Sequence, residues 1–190
     1  MKKQKIINYL QSIIAIPMFA IAMPLSGISA IPSMTAINNI PKDENSVIIA
    51  QEEVVRKEKA EKIDALLAKY DSPLEGHGMK FVTEAEKHDL DWRLLVAISG
   101  RESTFGRHAC KKVTNSFLGY GSCKINYKST DEAIEKVSAS LGGNNAKTAH
   151  YYKDKTTTQI LRKYNTVIPN YPKEVIKIMK MISDEEVDII

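Results

Sequence analysis

The feature that most constrains this chain is a carboxylate set at the end of an apolar helical run. In "LLVAISGRESTFGRHAC", residues 94–110, six residues of core character lead into Arg101, Glu102 and Ser103, and a glycine follows at 106. Residues three, four and seven apart share a helix face, so Glu102 is expected beneath Leu95 and Ile98, with Phe105 close by. A carboxylate on such a face is costly unless it is paired, neutralised or used. Removal from water disfavours its charged form and raises its pKa, the condition a proton donor needs. The competing reading is an ion pair with Arg101, Arg107 or a lysine, since structural pairs also perturb pKa.

At 190 residues, 43% hydrophobic and 26% charged, the chain has material for one core,. Residues 1–30 stand apart from it. Lys2, Lys3 and Lys5 precede an uncharged apolar segment, Ile13 to Leu25, that closes on Ser29 and Ala30, which is the layout of a secretory signal cleaved after Ala30. Uncleaved, residues 6–30 would tether the domain to a membrane, although Pro17 and Pro24 argue against a full spanning helix,. Either way the protein is exported: secreted, periplasmic or bound to the cell envelope. The segment holds three lysines and no acid, so its loss takes the formal charge from +4 to +1. Nucleic acid binding, which needs a concentrated basic face, is not expected. Cys110 and Cys123, the only cysteines, are an even count in an exported chain and predict a disulfide,. Such a bridge closes a loop of about 14 residues and stabilises by roughly 3 kcal/mol. His77, His88, His108 and His150 show no ligand spacing, so neither a metal nor another cofactor is expected.

Residues 31–49 mix Pro, Asn, Ser and isolated apolar residues without a period and read as a linker,. Residues 50–72 read as an amphipathic helix carrying Val54, Val55, Ile63, Leu66 and Leu67, a lead-in to the domain rather than part of its core,. The compact domain spans residues 73–183 and is mainly α, with an acidic tail at 184–190. Within it "MKFVTEAEKHDL" is a short helix, and Asp91 is a natural N-cap for a helix from Trp92 to Thr104,. Residues 107–128 suit a loop with a small hairpin around "SFLGYGSCKINY". Ser129 and Glu132 have the capping-box spacing ahead of Ile134, Val137 and Leu141,. "TTTQILRKY" is a further short helix. Pro172 opens a last one that carries Val175, Ile178, Met179 and Ile182 on one stripe,.

Taken in order, "LLVAISGRESTFG", "NSFLGYG", "STDEAIEKVSASL" and "KYNTVIPNYPKEVIKIM" resemble the lysozyme-like domain of soluble lytic transglycosylases, a family related to bacterial endo-β-N-acetylglucosaminidases. The likeness covers about residues 73–182. It implies a lysozyme-like helical fold in which Glu102 acts as general acid and then base on peptidoglycan glycan strands, with Ser103 as local support. It also implies that Asn115, Phe117, Tyr120 and Gly121 line the sugar groove, and that Tyr164 points toward the acid. The bland alternatives are a turn packed on the core and, for Tyr164, a core aromatic with a satisfied hydroxyl. The chain departs from the family at "GYGSC", where a Gly-Leu-Met-Gln stretch is usual, and Leu118 looks like an extra residue. The disulfide would fix two walls of that groove.

No second carboxylate stands at a matching position: Asp131 and Glu132 read as capping charges, and Asp154 lies in a charged turn,. Glycosidases of both stereochemical types usually need two acids. A transglycosylase manages with one, because the muramic acid's own hydroxyl attacks the anomeric carbon to give a 1,6-anhydro ring. The alternatives are a hydrolase of the same fold, with its second acid in the loop after Cys123, and a glycan-binding module without chemistry.

Overall fold

The computed structural model describes residues 44–185. The expected leader at 1–30, most of the expected linker and the residues beyond Glu185 fall outside the described residues. Seven helices occur among the described residues: α1 (Glu44–Lys69), α2 (Gly78–Lys87), α3 (Leu94–Ser103), α4 (Thr130–Leu141), α5 (Ala149–Tyr152), α6 (Thr157–Tyr164) and α7 (Tyr171–Asp184). The mainly α expectation holds, and none of these helices is long and apolar enough to cross a membrane.

Helix α1 begins inside the stretch read as linker and has two characters. Its first half leaves Val47, Ile48, Ile49, Val54 and Val55 exposed. Its second half buries Ile63, Leu66 and Leu67 completely, packing on α2 and α7. The lead-in reading is therefore corrected: the end of α1 belongs to the core. It also caps α2, whose N-cap residue His77 makes no side-chain cap bond. Asp64 Oδ1 instead accepts from the backbone N–H groups of Gly76 and Gly78, at 2.9 and 3.0 Å.

Helix α3 is the centre of the molecule. Leu94 through Ser99 are all buried, so it has no solvent face along most of its length, the condition of a helix surrounded by others. Asp91 does accept from the Arg93 N–H at 3.0 Å, and the helix proper starts at Leu94. It stops at Thr104, whose backbone turns left-handed (φ +51°). Around α3, Ser129 caps α4 by accepting from Glu132 N, and Thr156 caps α6 in a full capping box with Gln159. Pro172 opens α7, which packs on α3 and buries Val175, Met179 and Ile182, while Ile178 stays partly buried.

The expected hairpin is not formed, since no strand occurs among the described residues. The segment is instead a succession of turns. Gly119, Gly121, Ser122 and Cys123 all take positive φ, which interrupts the extended backbone a strand needs. Cys110 and Cys123 are bonded across it, with their Cα atoms 5.9 Å apart.

A hydrogen bond from the exposed Asn144 to the buried His88 joins α2 to the turn after α4. His88 accepts at Nδ1 from the Asn144 amide (3.0 Å), and its Nε2 lies 3.6 Å from Glu84. Burial pushes the His88 ring below its ordinary 6.5, with the Glu84 charge opposing and Lys87 assisting. Burial alone would raise the Glu84 carboxyl, but hydrogen bonds and charge from Lys80 and Lys87 outweigh it and hold that carboxyl low.

Two predictions follow from these placements. Leu66→Ala should cost about 2–5 kcal/mol in a urea titration, whereas Val54→Ala should stay within about 0.5 kcal/mol; a lead-in helix outside the core would give two small values. The folded protein prefers a neutral His88, so stability should fall as pH drops below 6.5 toward the lower folded value,. Loss of the Glu84 contribution has the same sign in the carboxylate range. His88→Gln should flatten the unfolding free energy between about pH 7 and 5.

Candidate active site

Position along α3, rather than side of α3, decides where Glu102 goes. The helix is enclosed through Ser99 and emerges in its last turn: Gly100 and Arg101 are half-buried, Glu102 is exposed and Ser103 is buried again. The expectation that Glu102 lies on an apolar face is corrected by this geometry, because every face is apolar earlier in the helix and water begins where the helix ends. Gly100 permits the following turn. The Phe105 ring folds back against it, where a β-carbon would meet Phe105 Cε1 at 2.6 Å. Phe105 also lies 4.6 Å from the Tyr70 ring, and its carbonyl accepts from Ser72 Oγ at 2.7 Å.

Three elements meet at Glu102. Helix α7 supplies Tyr171, fully buried, whose hydroxyl donates to Glu102 Oε1 at 2.7 Å. Burial, the hydrogen bond to Glu102 and its negative charge hold the Tyr171 phenol far above its ordinary value, so it stays a neutral donor. The turn at Gly119 supplies the other wall. Its φ is +69°, and a β-carbon there would come within 2.7 Å of Glu102 Oε2. Glycine is required on both counts. The end of α6 supplies Tyr164, whose hydroxyl donates to the Leu118 carbonyl and whose ring stacks on Tyr171 at 6.0 Å with an 11° tilt. Burial, then the neighbouring Tyr171 and Glu102, push the Tyr164 phenol well up.

The tyrosine in contact with the acid is thus Tyr171, and Tyr164 stands behind it. Sequence reasoning passed over Tyr171 because it reads as the residue before Pro172 at a helix start. That placement is also the signal that would have found it, since the first residue of a buried last helix is aimed at the core. Leu118, read as an extra residue, anchors Tyr164 through its carbonyl and is itself buried.

Of the remaining expected site residues, Ser103 is support: buried, it accepts from Gly106 N–H (2.9 Å) and lies 2.6 Å from the Phe117 carbonyl, pinning the loop to α3. Phe117 is in the core, edge-on to Phe81 with centroids 6.4 Å apart, which corrects its assignment to the groove. The Asn115 amide donates to the Tyr127 carbonyl at 2.9 Å, so it shapes the loop rather than facing outward. Tyr120 is half-buried, 6.0 Å from the Tyr164 ring, and Gly121 is exposed. Burial also pushes the phenols of Tyr127 and Tyr152 up to about 12, so both stay neutral.

A second carboxylate, Glu174 on α7, enters this network, but Arg101 Nε holds it at 2.5 Å, and the Arg101 guanidinium lies 6.0 Å from the Tyr171 ring centroid. Two acids after Cys123 are engaged elsewhere. Asp131 faces His77 Nδ1 at 2.9 Å, and Glu132 accepts from Lys128 N–H (2.5 Å) and pairs with Lys136 (2.8 Å).

Backbone strain gathers here. Thr104, Phe105, Asn115, Ser122 and Cys123 are non-glycine residues with φ between +51° and +57°, each costing about 1–2 kcal/mol. Such costs concentrate where the surrounding structure imposes a functional geometry.

Compared with known proteins, the chain matches no protein-family model, no curated protein and no solved structure.

Gly119→Ala should destabilise the fold by about 1–2 kcal/mol from its positive φ alone, with a further cost for moving Glu102. Guanidinium unfolding measures the sum. A loss no larger than the backbone cost alone would mean that the turn does not press on the carboxylate.

Proposed function

We propose that the protein cleaves the glycan strands of peptidoglycan between MurNAc and GlcNAc as a lytic transglycosylase, with Glu102 as the single acid and base. The observation that carries the reading is the solvent-open Glu102 carboxylate clamped on one oxygen by the neutral Tyr171 hydroxyl, with only a glycine beside the other. Oε1 is held by Tyr171 and Oε2 is left for the reacting atoms. A glycan strand lying over this junction shields Glu102 from water. Oε2 then protonates the departing glycosidic oxygen, and the carboxylate so formed takes the proton of the muramyl hydroxyl that attacks the anomeric carbon.

Engagement of Asp131, Glu132 and Glu174 by His77, Lys136 and Arg101 takes those three carboxylates from the role of second acid that hydrolysis usually needs,, and this supports the single-acid chemistry. The leader-like residues 1–30 and the Cys110–Cys123 bridge fit an exported enzyme working in an oxidising compartment,.

Digestion of purified sacculi followed by mass spectrometry should give 1,6-anhydromuramic ends. Ordinary reducing ends would assign the hydrolase, and undigested sacculi that still bind the protein would assign a glycan-binding module. Glu102→Gln should lower the rate by about 10²–10⁴-fold with an unchanged melting temperature. Tyr171→Phe should lower it less, while retaining the same products.

A further inference from the structure

On the surface formed by α5 and α6, Tyr151, Lys155, Gln159, Arg162 and Lys163 line an open recess of about 290 Å³. Residues 147–163 carry Lys147, Lys153, Lys155, Arg162 and Lys163 against the single acid Asp154. Between residues 56 and 101 most cations are matched, Arg56 and Lys59 with Glu86, Lys80 and Lys87 with Glu84, Arg93 with Asp91, Arg101 with Glu174, whereas lysines unmatched among the described residues, such as Lys177 and Lys180, also occur outside the recess. Lys153, Lys155 and Arg162, all exposed, have no carboxylate partner among the described residues. Lys163 is fixed over the Tyr151 ring, its ammonium 3.9 Å from the centroid. This is an open, positively charged surface with one cation held in place and Asp154 as the single acid of the stretch.

We propose that this recess binds the phosphodiester groups of an anionic polymer of the cell envelope, in which charged groups repeat along a polyol or sugar chain. An arginine fork and lysine point charges are the side chains that phosphate recognition uses. Cations spread from Lys147 to Lys163 suit a ligand whose charge repeats better than one small anion. The aromatic group argues against nucleic acid. Tyr151 has the Lys163 ammonium over one face and the tilted His150 ring at 3.7 Å, so the face that Lys163 covers is closed to base stacking, on which single-stranded nucleic acid binding depends. The recess sits on the outer side of α6, the helix whose last residue, Tyr164, supports Tyr171 and Glu102. A polymer held there would keep the candidate active site on the wall. The identity of the polymer rests on the envelope reading above, but the binding itself does not need Glu102.

The test titrates synthetic poly(glycerol phosphate) into the full chain while sacculus cleavage is measured separately, so that loss of one function leaves the other readable. Binding should weaken roughly tenfold or more between about 50 and 200 mM salt. Lys155→Glu/Arg162→Glu should weaken it by a similar factor and leave cleavage of polymer-free sacculi unchanged. Lys155→Gln/Arg162→Gln, with its fold verified by circular dichroism, should give a smaller loss in the same direction. Lys177→Glu/Lys180→Glu, an equal change in net charge on α7, should have no effect. The proposal is overturned if the polymer does not bind, if the α7 variant costs as much as the recess variant, or if phosphatidylglycerol vesicles or single-stranded DNA bind as tightly as the polymer.

Discussion

Enclosure of α3 is the constraint on which the rest of the structure depends. A ten-residue helix buried from Leu94 to Ser99 requires neighbours on all sides, and the chain provides them from distant segments: α7 and α2 lie against α3, and the end of α1 packs in turn on both of those. Once those are in place, the end of α3 has only one way out. The backbone turns left-handed at Thr104, Phe105 and Gly106, the Phe105 ring closes over Gly100, and Ser72 and Ser103 fasten the turn to α1 and to the following loop. Glu102 is the side chain left facing water. The core therefore places the carboxylate, and the site is an edge of the core rather than a separate structure added to it.

The loop from residue 104 to 128 shows how such an edge is held. It contains little regular structure, yet it is tied at several points: the Cys110–Cys123 bond, the Asn115 and Thr114 side chains on the Tyr127 carbonyl, the Phe117 ring against Phe81, and the Leu118 carbonyl under Tyr164. Five non-glycine residues with left-handed backbone are affordable only because those ties over-determine the path,. The disulfide constrains the unfolded chain as well, which offsets part of that cost.

Much of the helical layout was legible from local signals. Pro172, the Ser129–Glu132 spacing and the apolar stripe of α7 each rest on interactions within one or two turns, and each is where the sequence puts it. What local signals could not carry were the long-range placements. The apolar residues of α1 look alike in sequence, but Val54 and Val55 face water while Ile63, Leu66 and Leu67 are enclosed, because only the second half of the helix has α2 and α7 to lie against. Glu102 was found by its surroundings in sequence and misplaced by them: helical periodicity assigns a face, and a helix without a solvent face has none to assign. Phe117 and Asn115 were read as outward because loops carry function, while the physics of a strained loop turned them inward as anchors. Tyr171 escaped because its contact with Glu102 spans 69 residues of chain and leaves no periodic trace.

The contact between Tyr171 and Glu102 has a chemical consequence for the proposed reaction. An acid that must give a proton and take one back needs both forms within reach, and a permanently neutral donor on one oxygen helps the ionised form without blocking the other oxygen. A charged donor at that position would over-stabilise the carboxylate and oppose the first proton transfer. Arg101 is the cation placed to do so, being the next residue along α3. Its Nε is instead committed to Glu174, so Arg101 makes no hydrogen bond to Glu102 while its charge still acts on it through space. The ion pair thereby leaves a tyrosine, rather than an arginine, as the hydrogen-bond partner of Glu102.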